Sequence, residues 1–268
     1  MQKKFNHNNV EISYAIEGEG LPVVLLHGLP LKGSIWNQQV DFLKSRCKLI
    51  VPDIPGSGKS VFEKTEPEAT TIEYYASCIH ALLQYENING CLMLGHSLGG
   101  YISLAYAEKY PEYLNGFGLV HSTAFADSEE RKQMRVKGIA MIDEYGAYAF
   151  LKSTTPNLFG KKFKAEHSEK INALIEEGRN FSKEALQNYY KAMMQRPDRT
   201  SVLKNSNVPV LFIMGTEDTA VPMKDVLQQA HLPRIAYIHI LEDTGHVGMW
   251  ECPPEMNAAL LEFIESFI

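Results

Sequence analysis

Three runs of this chain are apolar at essentially every position instead of every second one: Pro22-Val23-Val24-Leu25-Leu26, Cys91-Leu92-Met93-Leu94 and Val208-Pro209-Val210-Leu211-Phe212-Ile213-Met214. Successive side chains of a strand point to opposite faces, so a strand without polar alternation has to be covered on both. Helical stretches between the runs can supply that cover, which points to a mostly parallel sheet with helices on both faces, an α/β fold. Further strands are expected at 10–16, 47–52, 117–121 and 235–241. Helices are expected from about Ser34, from Thr70 to Glu86, over 98–110 up to Pro111, and over 254–268. Thr70 and Glu73 have capping-box spacing. From 122 to 207 the rhythm changes. No convincing strand occurs, and Met134, Ile139, Met141, Ile142 and Tyr145 recur at near-helical spacing. The expected organisation is a core of residues 1–121 and 208–268 with a helical cap of 122–207 inserted after the sixth strand.

With 268 residues, 45% of them apolar and 22% charged, the chain can bury a core without a metal or disulfide to hold it. A formal charge of −6 argues against nucleic acid as a partner, since phosphate binding asks for clustered Lys and Arg. Cys47, Cys78, Cys91 and Cys252 lie far apart without CxxC spacing, which disfavours a disulfide framework. The start, MQKKFNHNN, has no apolar stretch behind its lysines, and no run approaches the roughly 18 apolar residues of a membrane span. The expectation is a cytoplasmic protein with no membrane or nucleic-acid partner; oligomeric state is not legible. The sequon at Asn180-Phe181-Ser182 is then a chance match.

The chemistry concentrates at three turns. Gly95-His96-Ser97-Leu98-Gly99 is a G-x-S-x-G motif, and Gly100 follows it, between a buried strand and a helix. A sharp turn there needs small neighbours and lifts the Ser97 hydroxyl to a helix N-terminus, where free N–H groups favour developing negative charge. A serine nucleophile needs a base and a group to orient it. Downstream, Met214-Gly215-Thr216-Glu217-Asp218 and Thr244-Gly245-His246 each follow a strand, the location where open α/β sheets build their sites. His27, His96 and His121 also lie at strand ends as rival bases. Glu217, Asp243 and Asp127 are rival acids.

These stretches, with Leu26-His27-Gly28-Leu29-Pro30, Asp53-Ile54-Pro55-Gly56-Ser57-Gly58-Lys59-Ser60, Gly215 through Pro222, and Gly245-His246 with Glu251-Cys252-Pro253, resemble the α/β-hydrolase superfamily, in its cap-bearing esterase, lactonase and C–C hydrolase branch. The resemblance spans the chain apart from the expected cap. It implies Ser97 as nucleophile, Asp218 as acid and His246 as base, with backbone N–H groups of Leu29 and Leu98 as oxyanion donors. It also implies that His27 braces the oxyanion loop and that Asp53 braces the loops below the site. Gly28, His121, Phe125 and Met141 are candidate pocket residues, and Met134 and Phe150 are further cap positions of the same kind. Gly58-Lys59-Ser60 is not a phosphate loop, because the first glycine of that motif falls on Asp53. No HExxH or dinucleotide fingerprint occurs, so no metal and no cofactor are expected.

The implied activity is hydrolysis of a small or medium carboxylic ester or lactone through an acyl-enzyme. Cleavage of a C–C, amide or thioester bond by the same triad stays open, as does a ligand-binding or signalling protein with little turnover. A serine at position 97 disfavours the branches that need a carboxylate nucleophile.

Overall fold

The computed structural model describes residues 2–62 and 70–268. The strands are β1 (Gln2–His7), β2 (Val10–Glu17), β3 (Pro22–Leu26), β4 (Lys48–Pro52), β5 (Val61–Phe62), β6 (Cys91–His96), β7 (Leu114–Val120), β8 (Val210–Gly215) and β9 (Ala236–Leu241). The α-helices are α1 (Asn37–Leu43), α2 (Ile72–Tyr85), α3 (Leu98–Lys109), α4 (Glu129–Thr154), α5 (Lys161–Glu166), α6 (Ser168–Glu177), α7 (Lys183–Gln195), α8 (Thr200–Lys204), α9 (Met223–Leu227), α10 (Gly248–Glu251) and α11 (Pro253–Glu265). One sheet has the order β1-β2-β4-β3-β6-β7-β8-β9, with β5 paired to β2. Every pairing from β4 to β9 is parallel, and β2 runs antiparallel to its neighbours. Leaving out the two-residue β5, Leu114–Val120 is the sixth strand, and the described chain from there to β8 is helical.

The apolar runs divide their side chains between two cores. Val24, Leu26, Met93, Phe212 and Met214 pack with Tyr75, Ile79 and Leu82 of α2 and Ile102 of α3. Their neighbours Val23, Leu25, Leu92, Leu94, Leu211 and Ile213 pack with Trp36, Leu43 of α1 and Met256, Leu260 and Phe263 of α11. The registers pair Leu26 with Gly95, His96 with Val120, Val120 with Ile213 and Gly215 with Leu241. The carboxyl ends of β3, β6, β7, β8 and β9 therefore finish side by side.

Three local features depart from the sequence reading. The strand β1 has a polar, half-exposed pattern and was not expected; it joins β2 through Asn8 and Asn9, both at positive φ, a two-residue hairpin loop. The cap of α2 is Thr71, whose Oγ1 accepts the Tyr74 N–H at 3.1 Å, while Thr70 Oγ1 instead meets the Tyr75 hydroxyl at 2.9 Å. The helix α4 is interrupted at Gly146, where φ is 82°.

The loop after β7 is tied to the helical stretch by charge. Asp127 is fully buried as a side chain and pairs with Arg135 of α4 and, at 2.8 Å, with Arg196 after α7. The Arg196 guanidinium also lies 3.9 Å from the ring centroid of Tyr101 on α3. Burial pushes the Asp127 carboxyl up, but the Arg135 and Arg196 guanidiniums outweigh it and hold the group below its ordinary range. A depressed folded-state value means that this contribution is full at neutral pH and fades as pH falls below about 4. We therefore expect Asp127→Asn to cost about 3–5 kcal/mol of stability at pH 7 in urea titration, and less at low pH.

Candidate active site

Ser97 joins β6 to α3 with φ 52° and ψ −113°, a region that a residue with a Cβ enters only when its surroundings force it. Here they do. Its N–H donates to the Val120 carbonyl at 2.9 Å, and its own carbonyl accepts the Ser122 hydroxyl at 2.8 Å. Both halves of the strained peptide are thus held by the end of β7. Space is as tight: a Cβ on Gly95 would lie 2.2 Å from Gly99 C, and one on Gly99 would lie 2.5 Å from the Leu26 carbonyl oxygen. The strand-to-helix turn closes only with glycine at both places. Ser97 itself remains partly exposed.

Asp218 follows β8 and is nine-tenths or more buried. Its Oδ1 accepts the N–H groups of Ala220 and Val221 at 2.9 and 2.8 Å. Its Oδ2 accepts Nδ1 of His246 at 2.8 Å and Nδ1 of His121 at 3.1 Å. Burial opposes the charge, but the two imidazoles overcome it, and the carboxyl sits well below its ordinary range. With Nδ1 of His246 committed to Asp218, Nε2 is the ring nitrogen left for proton transfer.

The loop carrying His246 is fixed by its backbone. Its N–H donates to the Leu158 carbonyl at 2.6 Å. The Glu251 carboxylate accepts the N–H groups of Gly245 and Val247 on either side, each at 2.9 Å, and that of Gly160 at 2.7 Å. Glu217 accepts the Lys161 N–H at 2.6 Å. The acid and base loops are therefore sewn to residues 158–161 of the helical stretch. Sequence reasoning missed these contacts; Glu251 stood in a recognised stretch, but nothing in its spacing said which N–H groups it would collect.

The rival bases are engaged elsewhere. His27 Nδ1 donates to the Gly28 carbonyl and Nε2 accepts the Ile54 N–H, each at 2.9 Å, a neutral tautomer that burial favours. His96 donates Nε2–H to the His246 carbonyl at 2.7 Å. Burial first, then the neighbouring rings of His246 and His121, hold His96 well below its ordinary range, so it stays uncharged. Asp53 braces two loops through the N–H groups of Gly33 at 2.7 Å and Lys59 at 2.8 Å. Among the rival acids, Asp127 is spent on arginines and Asp243 is exposed.

Leu98 is 1% exposed and opens α3, so its N–H has no intrahelical partner. Leu29 is half-buried on the loop beyond Gly28, and a Cβ on Gly28 would lie 2.8 Å from the Ser97 Cβ. His121 is fully buried against Asp218. Phe125 is half-buried in the loop after β7, with its carbonyl on Arg196. Met141 packs beside Ile142 and Phe150, whereas Met134 is 55% exposed on α4. A cleft of about 980 Å³ runs past Pro30, Leu31, Ser57 and Phe181, and neither Ser97 nor His246 lines it.

Among the described residues, His121, Asp218 and His246 form a group whose ligand atoms lie within 4.8 Å, from positions too far apart in sequence to register as a metal motif. Both Nδ1 atoms are at hydrogen-bond distance from one carboxylate oxygen, so the group satisfies itself by N–H···O pairing. No helix among the described residues is long and apolar enough to cross a membrane.

Residues 23–259 match the model of the Alpha/beta hydrolase family. Over 263 residues the chain is 22% identical to the (E)-2-((N-methylformamido)methylene)succinate hydrolase of Acinetobacter baylyi, covering 97% of this chain and 96% of that one. A thermophilic esterase from Thermogutta terrifontis, solved with malate bound, superposes with a TM-score of 0.92 at 26% identity, over 99% of this chain and 98% of that one. The fold is also that of an enol-lactonase from Burkholderia xenovorans, with a TM-score of 0.90 at 22% identity over 98% and 100% of the two chains. With a family match across nearly its whole length and the same fold as these enzymes, this chain belongs to the alpha/beta hydrolase family.

Proposed function

We propose that this hydrolase cleaves a small or medium carboxylic ester or lactone through an acyl-enzyme on Ser97. The observation that carries the reading is the Asp218–His246 pair, buried at the carboxyl edge of the sheet, with a strained serine turn at the same edge. Likeness to the Thermogutta terrifontis esterase supports the choice of bond.

In this reading the Ser97 Oγ attacks the substrate carbonyl carbon and gives its proton to His246 Nε2. Asp218 holds the ring in the required tautomer and stabilises the imidazolium. The N–H groups of Leu29 and Leu98 receive the oxyanion. As the intermediate collapses, His246 returns the proton to the departing alcohol; in a lactone that hydroxyl stays on the acyl chain. Water, deprotonated by His246, then attacks the acyl carbon and releases Ser97. Residues 122–207 serve as a cap over the core formed by 1–121 and 208–268, with Phe125 and Met141 toward the acyl or alcohol group.

Two other readings make different predictions. Cleavage of a C–C, amide or thioester bond uses the same residues, and a substrate panel separates it. A binding or signalling role predicts no ester turnover and slow labelling by a fluorophosphonate. We expect p-nitrophenyl esters of short acids to give a burst of p-nitrophenol equal to the enzyme concentration. Ser97→Ala should lower kcat roughly 10⁴-fold with unfolding unchanged; retention of more than a tenth of the activity would refute the nucleophile. Asp218→Asn should cost about 10³–10⁴-fold in kcat, far more than Asp127→Asn. The reverse ranking would transfer the role of acid.

A further inference from the structure

His121 is a fourth member of the site that the triad reading leaves without a task. It follows β7 in a left-handed conformation, φ 48°, with its N–H donating to the Ile213 carbonyl at 2.7 Å. Its side chain is fully buried. Nδ1 lies 3.1 Å from the same Asp218 oxygen that His246 uses. Nε2 has no partner among the described residues and faces Gly248, where a Cβ would come within 2.6 Å of it. An acceptor-only carboxylate on one side fixes the proton on Nδ1. A second proton on Nε2 would be a donor with nothing to meet.

The Asp218 carboxylate has about four lone-pair sites. The four donors are Ala220, Val221, His246 and His121. We propose that His121 is a positioning residue: by donating Nδ1–H to Oδ2 it saturates the carboxylate, fixes its plane toward His246, and takes up part of the charge that His246 would otherwise receive. The proposal rests on the hydrolase reading above, with Asp218 as the acid.

Other titratable groups around this point do not offer an equivalent donor. His96, from the end of β6, lies with its ring 6.0 Å from that of His121 and donates to the His246 carbonyl. His246, from the loop after β9, has its ring 5.8 Å away. Glu217, beside Asp218, is turned to the Lys161 N–H, and Glu251 of α10 to Gly160, Gly245 and Val247.

Removing the donor leaves Asp218 more of its charge to stabilise the His246 imidazolium, so the base is protonated at a higher pH. His121→Leu should move the acid limb of kcat/KM upward by about 0.5–1 pH unit, and lower plateau kcat about 3–10-fold with KM unchanged, because the carboxylate plane is less well held. His121→Asn keeps an amide donor where Nδ1 stood and tolerates the left-handed backbone, so it should restore both limb and plateau. Nitrogen-15 NMR of the histidine-labelled wild-type protein should find Nδ1 of His121 protonated and Nε2 not. A folded His121→Leu with the wild-type profile, an Asn variant no closer to wild type than Leu, or a wild-type His121 protonated on Nε2 would each overturn the proposal. Absence of ester turnover in the wild-type protein would count against the ester reading alone, since the NMR measurement tests the His121 contact without activity.

Discussion

The organising constraint is the double burial of the parallel strands. Because β3, β6, β7 and β8 send alternate side chains into two separate cores, their flanks have no room for chemistry. Only the carboxyl ends are free. The registers line those ends up, so that the turns carrying His27, Ser97, His121, Asp218 and His246 come from five different strands yet share one edge. Polar groups at that edge then have to satisfy one another, because the cores on either side offer no partners.

The strain at Ser97 and the crowding at Asp218 follow from this. Val120 and Ser122 hold both halves of the Ser97 peptide, and β7 thereby supports the neighbouring strand's turn as well as its own. The carboxylate of Asp218 is kept ionised in a dry setting by donors from its own loop, from β7 and from β9. The helical stretch between β7 and β8 is joined to the rest of the chain twice, by hydrogen bonds of residues 158–161 to His246, Glu251 and Glu217 and by Arg196, whose guanidinium lies against the Tyr101 ring of α3. A displacement of residues 158–161 would therefore be felt directly at the loop that carries His246.

Much of this was legible in the sequence because it depends on local physics. Unbroken apolar runs announced the central strands, and the glycines around Ser97 announced a tight turn. The loop of Asp218 could be placed because it follows such a run, and that of His246 because it follows the further strand expected at 235–241. The polar strand β1 was not legible: it is held by pairing with β2 rather than by an apolar pattern of its own. The shift of the α2 cap from Thr70 to Thr71 reflects two adjacent threonines of equal propensity, of which Tyr75 claims one. The sharing of Asp218 by His121, and the three N–H groups gathered by Glu251, depend on long-range convergence, which spacing along a chain does not encode. Likewise Met134 and Ile142 share helical periodicity, yet one lies at the surface and the other in the interior.

The claim at the centre of this account is that a covalent acyl group forms on one serine. Rapid acid quenching during turnover of a short-chain p-nitrophenyl ester, followed by proteolysis and mass spectrometry, tests it most directly. The account predicts the acyl mass increment on the peptide containing Ser97, confined to that residue and approaching one per chain when deacylation limits the rate. Steady turnover with the acyl group absent from Ser97, or carried by another residue, would contradict it.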